Sequence, residues 1–336
     1  MKVLLTGAFG NIGTSALPEL VAQGHTVRCL DVPTAVNKRK AARLAQQTEV
    51  VWGDLRRHDD AVAALRGQDA VVHLAFVIPR LSATGINSED QPDFARDVNV
   101  GGTLNLLAAM KACPRPPHLL FTSSLHVYGR TSHLPPPRTV VDPVQPVEHY
   151  ARQKVICEEM IKASGLDWTI FRLGASMPIR LILDPGVFDV PLANRMEYVH
   201  SRDVATAIAN ALRSDRVQGK TWLIGGGPRC QYTYREIAER VLDAFGVGML
   251  PDEAFTTVPF STDWLDTSES QRLLHFQQRT LQDYVNDVRS ALGAKRSVVQ
   301  LLRPVIRRRL LAVSPYYHQQ QIDQPAQALA VQRSAN

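Results

Sequence analysis

The sequence holds little cysteine, and its four, Cys29, Cys113, Cys157 and Cys230, lie far apart. No Cys-x-x-Cys and no Cys/His cluster at zinc spacing occurs, so neither a zinc site nor any other metal site is expected. Free thiols in a reducing compartment fit this pattern. Long apolar runs are also missing, and nothing approaches the ~20 residues of a membrane-spanning helix. The opening "MKVLLTG" is too short for a secretory signal and reads as a strand entering a glycine turn. A cytoplasmic protein is therefore expected. Acids are absent from Gly293 to His318, where Lys295, Arg296, Arg303, Arg307, Arg308 and Arg309 stand. The net charge of +6 thus resides in a C-terminal appendage, and no nucleic-acid-binding core is indicated.

What remains is ordinary globular material: 336 residues, 45% hydrophobic and 21% charged, enough for one large α/β domain with a smaller lobe. Short apolar runs at 2–7, 26–31, 49–54, 69–75, 118–124 and 167–174 predict strands. Helical patterns fall between several of them, near 11–23, 59–66, 92–112 and 147–163. Strands alternating with helices imply parallel strands and right-handed crossovers, hence a doubly wound α/β sheet. Residues 175–198 read as irregular. A helix at 201–214, a strand at 220–226, a helix at 233–245, a loop-rich stretch to about 279 and a helix at 280–292 follow.

"TGAFGNIG" sets Gly7, Gly10 and Gly13 between the first strand and the first helix. Gly7 permits the turn, Gly10 lets backbone approach a pyrophosphate, and Gly13 lets helix pack on strand. The helix N-terminus offers N–H groups and partial positive charge to phosphates. Asp31 closes the second strand, where a carboxylate accepts the adenosine ribose hydroxyls and repels a 2′-phosphate. NAD is predicted, with NADP the lesser alternative because Lys38 and Arg39 follow nearby. Asp54 ends the third strand, placed either to meet the adenine amine or to cap the next helix.

"EHYARQK" puts Tyr150 and Lys154 four residues apart, on one face of a helix. Hydride transfer at a carbinol carbon needs an acid/base for the hydroxyl proton. A tyrosine titrates near pKa ~10, too high for that task at neutral pH unless a cation stabilises its phenolate.

These motifs resemble the extended branch of the short-chain dehydrogenase/reductases, the NAD-dependent epimerase/dehydratase proteins. "TGAFGNIG", "GDL" at 53–55, "HLA" at 73–75, "NVGGTLNLL" from Asn99, "FTSSLHVYG", "YARQK" and "YVHSRDVATAI" match that branch in order, over about residues 1–290. The resemblance implies a Rossmann domain over 1–174 carrying the site. It also implies a mixed region over 175–292, in which a small substrate lobe is interleaved with returning Rossmann elements at about 198–226. Beyond the reach of the resemblance, composition predicts a basic amphipathic segment and a disordered tail over 293–336. The roles implied are Tyr150 as acid/base, Lys154 as its tuner and nicotinamide-ribose ligand, and Ser124 as donor to the substrate oxygen. Ser123 is the alternative serine. Cofactor contacts are implied for Gly7, Gly10, Asn11, Ile12, Gly13, Asp31, Asp54, Leu55, Leu74, Ala75, Asn99, Tyr150 and Lys154. A homodimer through the helices near 92–112 and 148–164 is implied as well.

The pattern departs after the sixth strand. Nucleotide-sugar members carry Arg-x-x-Asn-Val-Tyr-Gly-Pro there, whereas this chain has "RLGASMP", with Ala175 at the Asn position. The expectation is therefore oxidation or reduction of a small-molecule secondary alcohol or ketone. A sugar epimerase/dehydratase is the alternative, and a non-catalytic dinucleotide sensor a further one. Phe76, Ser123, His126 and Met177 are the candidate substrate contacts. Apolar residues at 76–81 and 177–188 suit either an apolar substrate or the small lobe's own core. In 295–313, Val299, Leu302, Ile306, Leu310 and Val313 recur at helical spacing among arginines. That pattern fits peripheral contact with an anionic membrane or docking on protein, with Pro304 kinking the segment or starting a second helix.

Overall fold

The computed structural model describes residues 1–45, 48–80 and 85–317. The tail expected to be disordered and Leu81 lie outside the described residues. The strands are β1 (Lys2–Thr6), β2 (Thr26–Asp31), β3 (Glu49–Trp52), β4 (Ala70–His73), β5 (His118–Ser124), β6 (Trp168–Leu173), β7 (Arg195–Glu197), β8 (Lys220–Ile224) and β9 (Gln231–Thr233). The first helices are α1 (Gly13–Ala22), α2 (Ala35–Leu44), α3 (His58–Leu65), α4 (Pro92–Arg96), α5 (Gly102–Lys111) and α6 (His149–Lys162). Those of the second half are α7 (Ser201–Ala211), α8 (Tyr234–Phe245), α9 (Ser268–Leu274), α10 (Leu281–Leu292), α11 (Lys295–Leu301) and α12 (Arg303–Val313).

Among the described residues the main sheet runs β3-β2-β1-β4-β5-β6-β8, every pairing parallel. Its strands are apolar almost throughout because helices cover both faces. Leu5, Val72 and Leu120 point to the layer of α1 and α7, where Leu17, Leu20, Val204 and Ile208 are buried. Leu4, Val71, Leu119 and Phe121 point to the layer of α3, α5 and α6, with Leu65, Leu106, Met110 and Ile161. The alternation along each strand thus feeds two cores. The strand order reverses between β1 and β4, and the crevice beyond the carboxyl ends there is where open α/β sheets bind ligands.

A further core joins Phe188, Tyr198, Ile237, Leu242, Phe255, Tyr284 and Val288 beside the antiparallel pair β7–β9. β7 and β9 have three residues each, too few for a readable alternation. Helix α2, "AVNKRKAARL", also carries no apolar stripe. It is nucleated by Thr34, whose side chain accepts from Asn37 N. The predicted helix at 92–112 is split by a wide π turn over Asp97–Gly101. Pro304 starts α12 rather than kinking a single helix, since its missing N–H costs nothing in a first turn.

Candidate active site

One cleft of about 350 Å³ lies over the carboxyl ends of β1, β4 and β5. Gly7, Gly10, Asn11, Ile12, Gly13, Asp31, Leu74 and Ala75 line one end, and Ser124, His126, Tyr150 and Lys154 line the other. The glycine loop is sterically fixed. A Cβ at Gly7 would lie 2.7 Å from Ala75 N, and one at Gly13 would lie 2.4 Å from the Gly7 carbonyl. Helix α1 starts without a side-chain cap, leaving its N-terminal charge to the cleft. Asn11 Nδ2 donates to the Ser176 carbonyl at 3.0 Å and ties the loop to the segment after β6.

Asp31 accepts from Phe9 N (2.9 Å), Val32 N (2.8 Å) and Asn37 Nδ2 (3.0 Å). Burial pushes its carboxyl above the ordinary value, with these donors pulling back. Lys40, not Lys38 or Arg39, reaches this end, donating from Nζ to the Phe9 carbonyl at 2.6 Å. A helix start, a loop that admits no side chains at Gly7 and Gly13, and a carboxylate at the end of β2 fit a dinucleotide.

Of the predicted cofactor residues, Asp54, Leu55 and Asn99 fall elsewhere. The Asp54 carboxylate is clamped by Arg56, whose Nη2 lies 2.6 Å from Oδ2, and it does not line the cleft. Leu55 is buried in the core, its Cβ 3.1 Å from where a Cβ of Gly102 would sit. The short sequence separation of Asp54 and Arg56 lets the local ion pair capture the carboxylate.

At the other end, α6 owes its register to a residue that no sequence motif marks. Glu89 accepts from the backbone N–H groups of His149 and Tyr150, both at 3.0 Å, and caps the helix from a distant loop. Asn99, on the π turn, accepts from Val77 N at 2.6 Å and donates to the Val77 carbonyl and to Gln153 Oε1. It therefore clamps the β4 loop to α6 and is not a cleft residue. His73 is buried between the Thr6 and Thr103 hydroxyls, 2.8 and 3.1 Å away, and burial drives its pKa down to about 3. It stays a neutral strut.

The two serines at the end of β5 part company. Ser123 donates to Glu158 Oε1 at 2.5 Å, into a buried cluster where Arg172 grips Glu158 (3.1 and 2.8 Å) and donates to the Tyr128 hydroxyl (2.8 Å). Ser123 borders the cleft, but neighbouring strand residues face opposite sides and its hydroxyl is held by Glu158. Ser124 hydrogen-bonds the Tyr150 phenol. Burial pushes that phenol up to about 12, the Ser124 contact opposes the rise and Glu148 adds to it. Lys154 Nζ donates to the Thr122 carbonyl at 2.6 Å and sits 3.5 Å over the Phe76 ring. Burial presses its ammonium down to about 7 against the upward pull of Cys157 and Glu158. Burial thus disfavours charge on both members of the pair.

Phe76 lines the cleft, but its face holds Lys154 and its edge meets Tyr150 at 5.8 Å. His126 lies in the cleft with its ring edge-on to Tyr150 (5.9 Å) and Phe260 (5.3 Å) and Nδ1 3.9 Å from Glu148. Met177 lines a separate cavity and not this cleft.

The model of the NAD dependent epimerase/dehydratase family matches residues 3–176. The chain belongs to that family. Among epimerase/dehydratase relatives, a UDP-glucose 4-epimerase of Pisum sativum is 32% identical over 194 residues, 53% of this chain and 52% of that protein. A 3 beta-hydroxysteroid dehydrogenase/Delta 5-->4-isomerase of Mycobacterium tuberculosis (strain CDC 1551 / Oshkosh) is 36% identical over 110 residues, 32% of this chain and 28% of that protein. The chain spans about half the length, or less, of the curated relatives it matches. Among solved structures, a dTDP-glucose 4,6-dehydratase double mutant from Streptomyces venezuelae, with NAD and DAU bound, superposes with TM-score 0.72. Its sequence identity is 25%, covering 89% of this chain and 98% of that one. The Rossmann-like fold is thus shared nearly end to end.

Proposed function

We propose that the protein is an NAD-dependent oxidoreductase that transfers hydride at a secondary alcohol or ketone, with Tyr150 as the acid/base. The carrying observation is the placement of Ser124, Tyr150 and Lys154 in the same cleft as the glycine loop and Asp31. NAD⁺, when bound, supplies the hydride acceptor and a positive charge. Gly7, Gly10, Asn11, Ile12 and Gly13 would hold its phosphates, and Asp31 its adenosine ribose. Ser124 would donate to the substrate oxygen. Tyr150 would take or give the hydroxyl proton. Lys154, as the ammonium, would stabilise the phenolate that Tyr150 leaves on giving its proton to the substrate, because opposite charges this close favour each other. His126 and Phe76, both lining the cleft, would contact the substrate.

A second reading, sugar epimerisation or dehydration, is favoured by the curated relatives, among them UDP-glucose 4-epimerases. A screen at the NADH absorbance band separates the two. NADH that accumulates with added NAD and a secondary alcohol is the expected result. A sugar isomer formed from a nucleotide sugar with co-purifying NAD and no net absorbance change would favour the epimerase.

The β7–β9 lobe would bind substrate, and a homodimer would form through α5 and α6, where Leu104 is 58% exposed. A cytoplasmic location fits the free cysteines. Val299 and Leu310 of the predicted row are buried in the small-lobe core, with Ile306 packed against it, so peripheral membrane contact would instead use Val298, Leu301, Leu302 and Val305. These stand at i, i+3, i+4 and i+7, all exposed, with Leu301 at 81%, and Lys295, Arg308 and Arg309 flank them. Cosedimentation with anionic but not neutral vesicles is expected. Equal pelleting with both, or with neither, would remove the membrane proposal.

A further inference from the structure

Hydride transfer at Tyr150 leaves one polar pair beside it without a role: His126 and Glu148. Ser124 opens a short 3-10 turn over Leu125–Tyr128, and its Oγ accepts from His126 N at 3.2 Å. That bond fixes the histidine beside the serine that meets the Tyr150 phenol. The His126 ring lines the cleft, edge-on to Tyr150 at 5.9 Å.

Glu148 stands at the N-cap of α6, yet its side chain does not cap the helix. Glu89 takes that task, and the Glu148 carboxylate turns elsewhere. Its Oε1 accepts from Ser261 Oγ at 2.5 Å. Ser261 is fully buried on the stretch between α8 and α9. The other oxygen, Oε2, lies 3.9 Å from His126 Nδ1. Both atoms are buried, and neither has a hydrogen-bond partner among the described residues. Such contacts are often long before substrate binds and tighten in the complex. Burial pushes the Glu148 carboxyl up, but His126 and Ser261 hold it below its ordinary value.

A neutral imidazole carries one proton, and the partner of one nitrogen decides which nitrogen holds it. With a carboxylate facing Nδ1, the proton belongs there. Nε2 keeps its lone pair and is the ring nitrogen left for the cleft. Two polar ends with opposite demands thus stand close together. Ser124 and Tyr150 offer protons to an oxygen, and His126 offers an acceptor.

We infer that the substrate is an α-hydroxy ketone, or the vicinal diol related to it, whose second hydroxyl donates to Nε2 of His126. Glu148 is then a positioning residue that sets the tautomer. The inference rests on the proposed hydride transfer at Tyr150, which decides the reacting carbon. In the reductive direction the carbonyl carbon gains hydride from NADH and its oxygen gains the Tyr150 proton. The neighbouring hydroxyl is unchanged.

The probes are 2-hydroxycyclohexanone and 2-methoxycyclohexanone, the second of which has lost the donor. Binding is measured first without chemistry, on full-length Tyr150→Phe with NADH, at mildly alkaline pH, where imidazoles are neutral. The hydroxy ketone is expected to bind about ten-fold tighter. Adding Glu148→Gln is expected to erase that preference. Ser261 still donates to the amide oxygen, so the amide N–H group faces Nδ1 and the imidazole proton moves to Nε2. His126→Phe keeps the edge-on packing and is expected to erase the preference as well. Glu148→Gln, nearly isosteric, carries the test should His126→Phe not fold. A preference unchanged in Glu148→Gln would be steric and overturns the inference. Equal binding of the two probes with Glu148 intact, or binding of neither, overturns it too. With Tyr150 present, kcat/KM is expected to show the same preference and the same loss. Selective binding without NADH oxidation by the unaltered chain would leave the role of His126 standing and overturn the hydride-transfer reading instead.

Discussion

Tyr150→Phe is expected to lower turnover by ~10²–10⁴-fold while leaving dinucleotide affinity unchanged. The substitution removes one oxygen and keeps the ring, which is held edge-on by Phe76 and His126 at 5.8 and 5.9 Å. The glycine loop and Asp31 are at the other end of the cleft and lose no contact. The size of the effect follows from where the proton rests. The phenol stands at about 12 and the lysine at about 7, so at neutral pH the phenol keeps its proton. Each pKa unit is ~1.4 kcal/mol, and the reaction must supply that difference by bringing positive charge next to the phenolate. Without the oxygen there is no group placed to carry the proton from Ser124's side of the cleft. Single-turnover measurement with NADH titration in parallel separates binding from chemistry. Near wild-type turnover in the variant would falsify the acid/base assignment.

Arg172→Met is expected to destabilise the fold by ~3–5 kcal/mol. Glu158 is 2% exposed and Arg172 is 4% exposed. Burial alone would raise the Glu158 carboxyl, but the two-pronged grip of Arg172, with Ser123 and Lys162, holds it below its ordinary value. Removing the guanidinium strands a carboxylate in the protein interior, and the Tyr128 hydroxyl loses its donor as well. Glu158→Gln added to Arg172→Met is expected to recover part of the loss, since the unpaired charge is then gone. The sign with pH follows from the depressed carboxyl: its contribution is complete above the unfolded carboxylate pKa of ~4.3 and disappears as pH falls through the lower folded value. Urea denaturation gives the number through a shifted midpoint at constant slope. A midpoint within error of wild type would mean that the cluster is solvated in solution.

The doubly wound sheet was legible because its signals are local. "KVLLTG", "TVRCLD" and "HLLFTSS" are apolar without alternation, as strands buried on both faces must be, and amphipathic runs lie between most of them. "TGAFGNIG" was legible because a turn of that shape tolerates no side chain at Gly7 or Gly13. Helix α2 was missed because "NKRKAARL" buries only Asn37 and Ala41 and so has no apolar period to read. β7 and β9 were missed because three residues carry no pattern.

By itself, then, the sequence determined the sheet, the dinucleotide loop and the Tyr150–Lys154 pair, each written within one element or one turn. Tertiary structure decided which side chains reach the cleft. Ser123 and Ser124 are adjacent in the chain, yet one is taken by Glu158 and the other meets Tyr150. Asp54 is spent on Arg56, and Met177 belongs to the neighbouring cavity. Glu89, sixty residues upstream, caps the helix that carries the tyrosine. Such choices depend on which partner lies nearest in space, and the spacing of residues along the chain does not encode that distance.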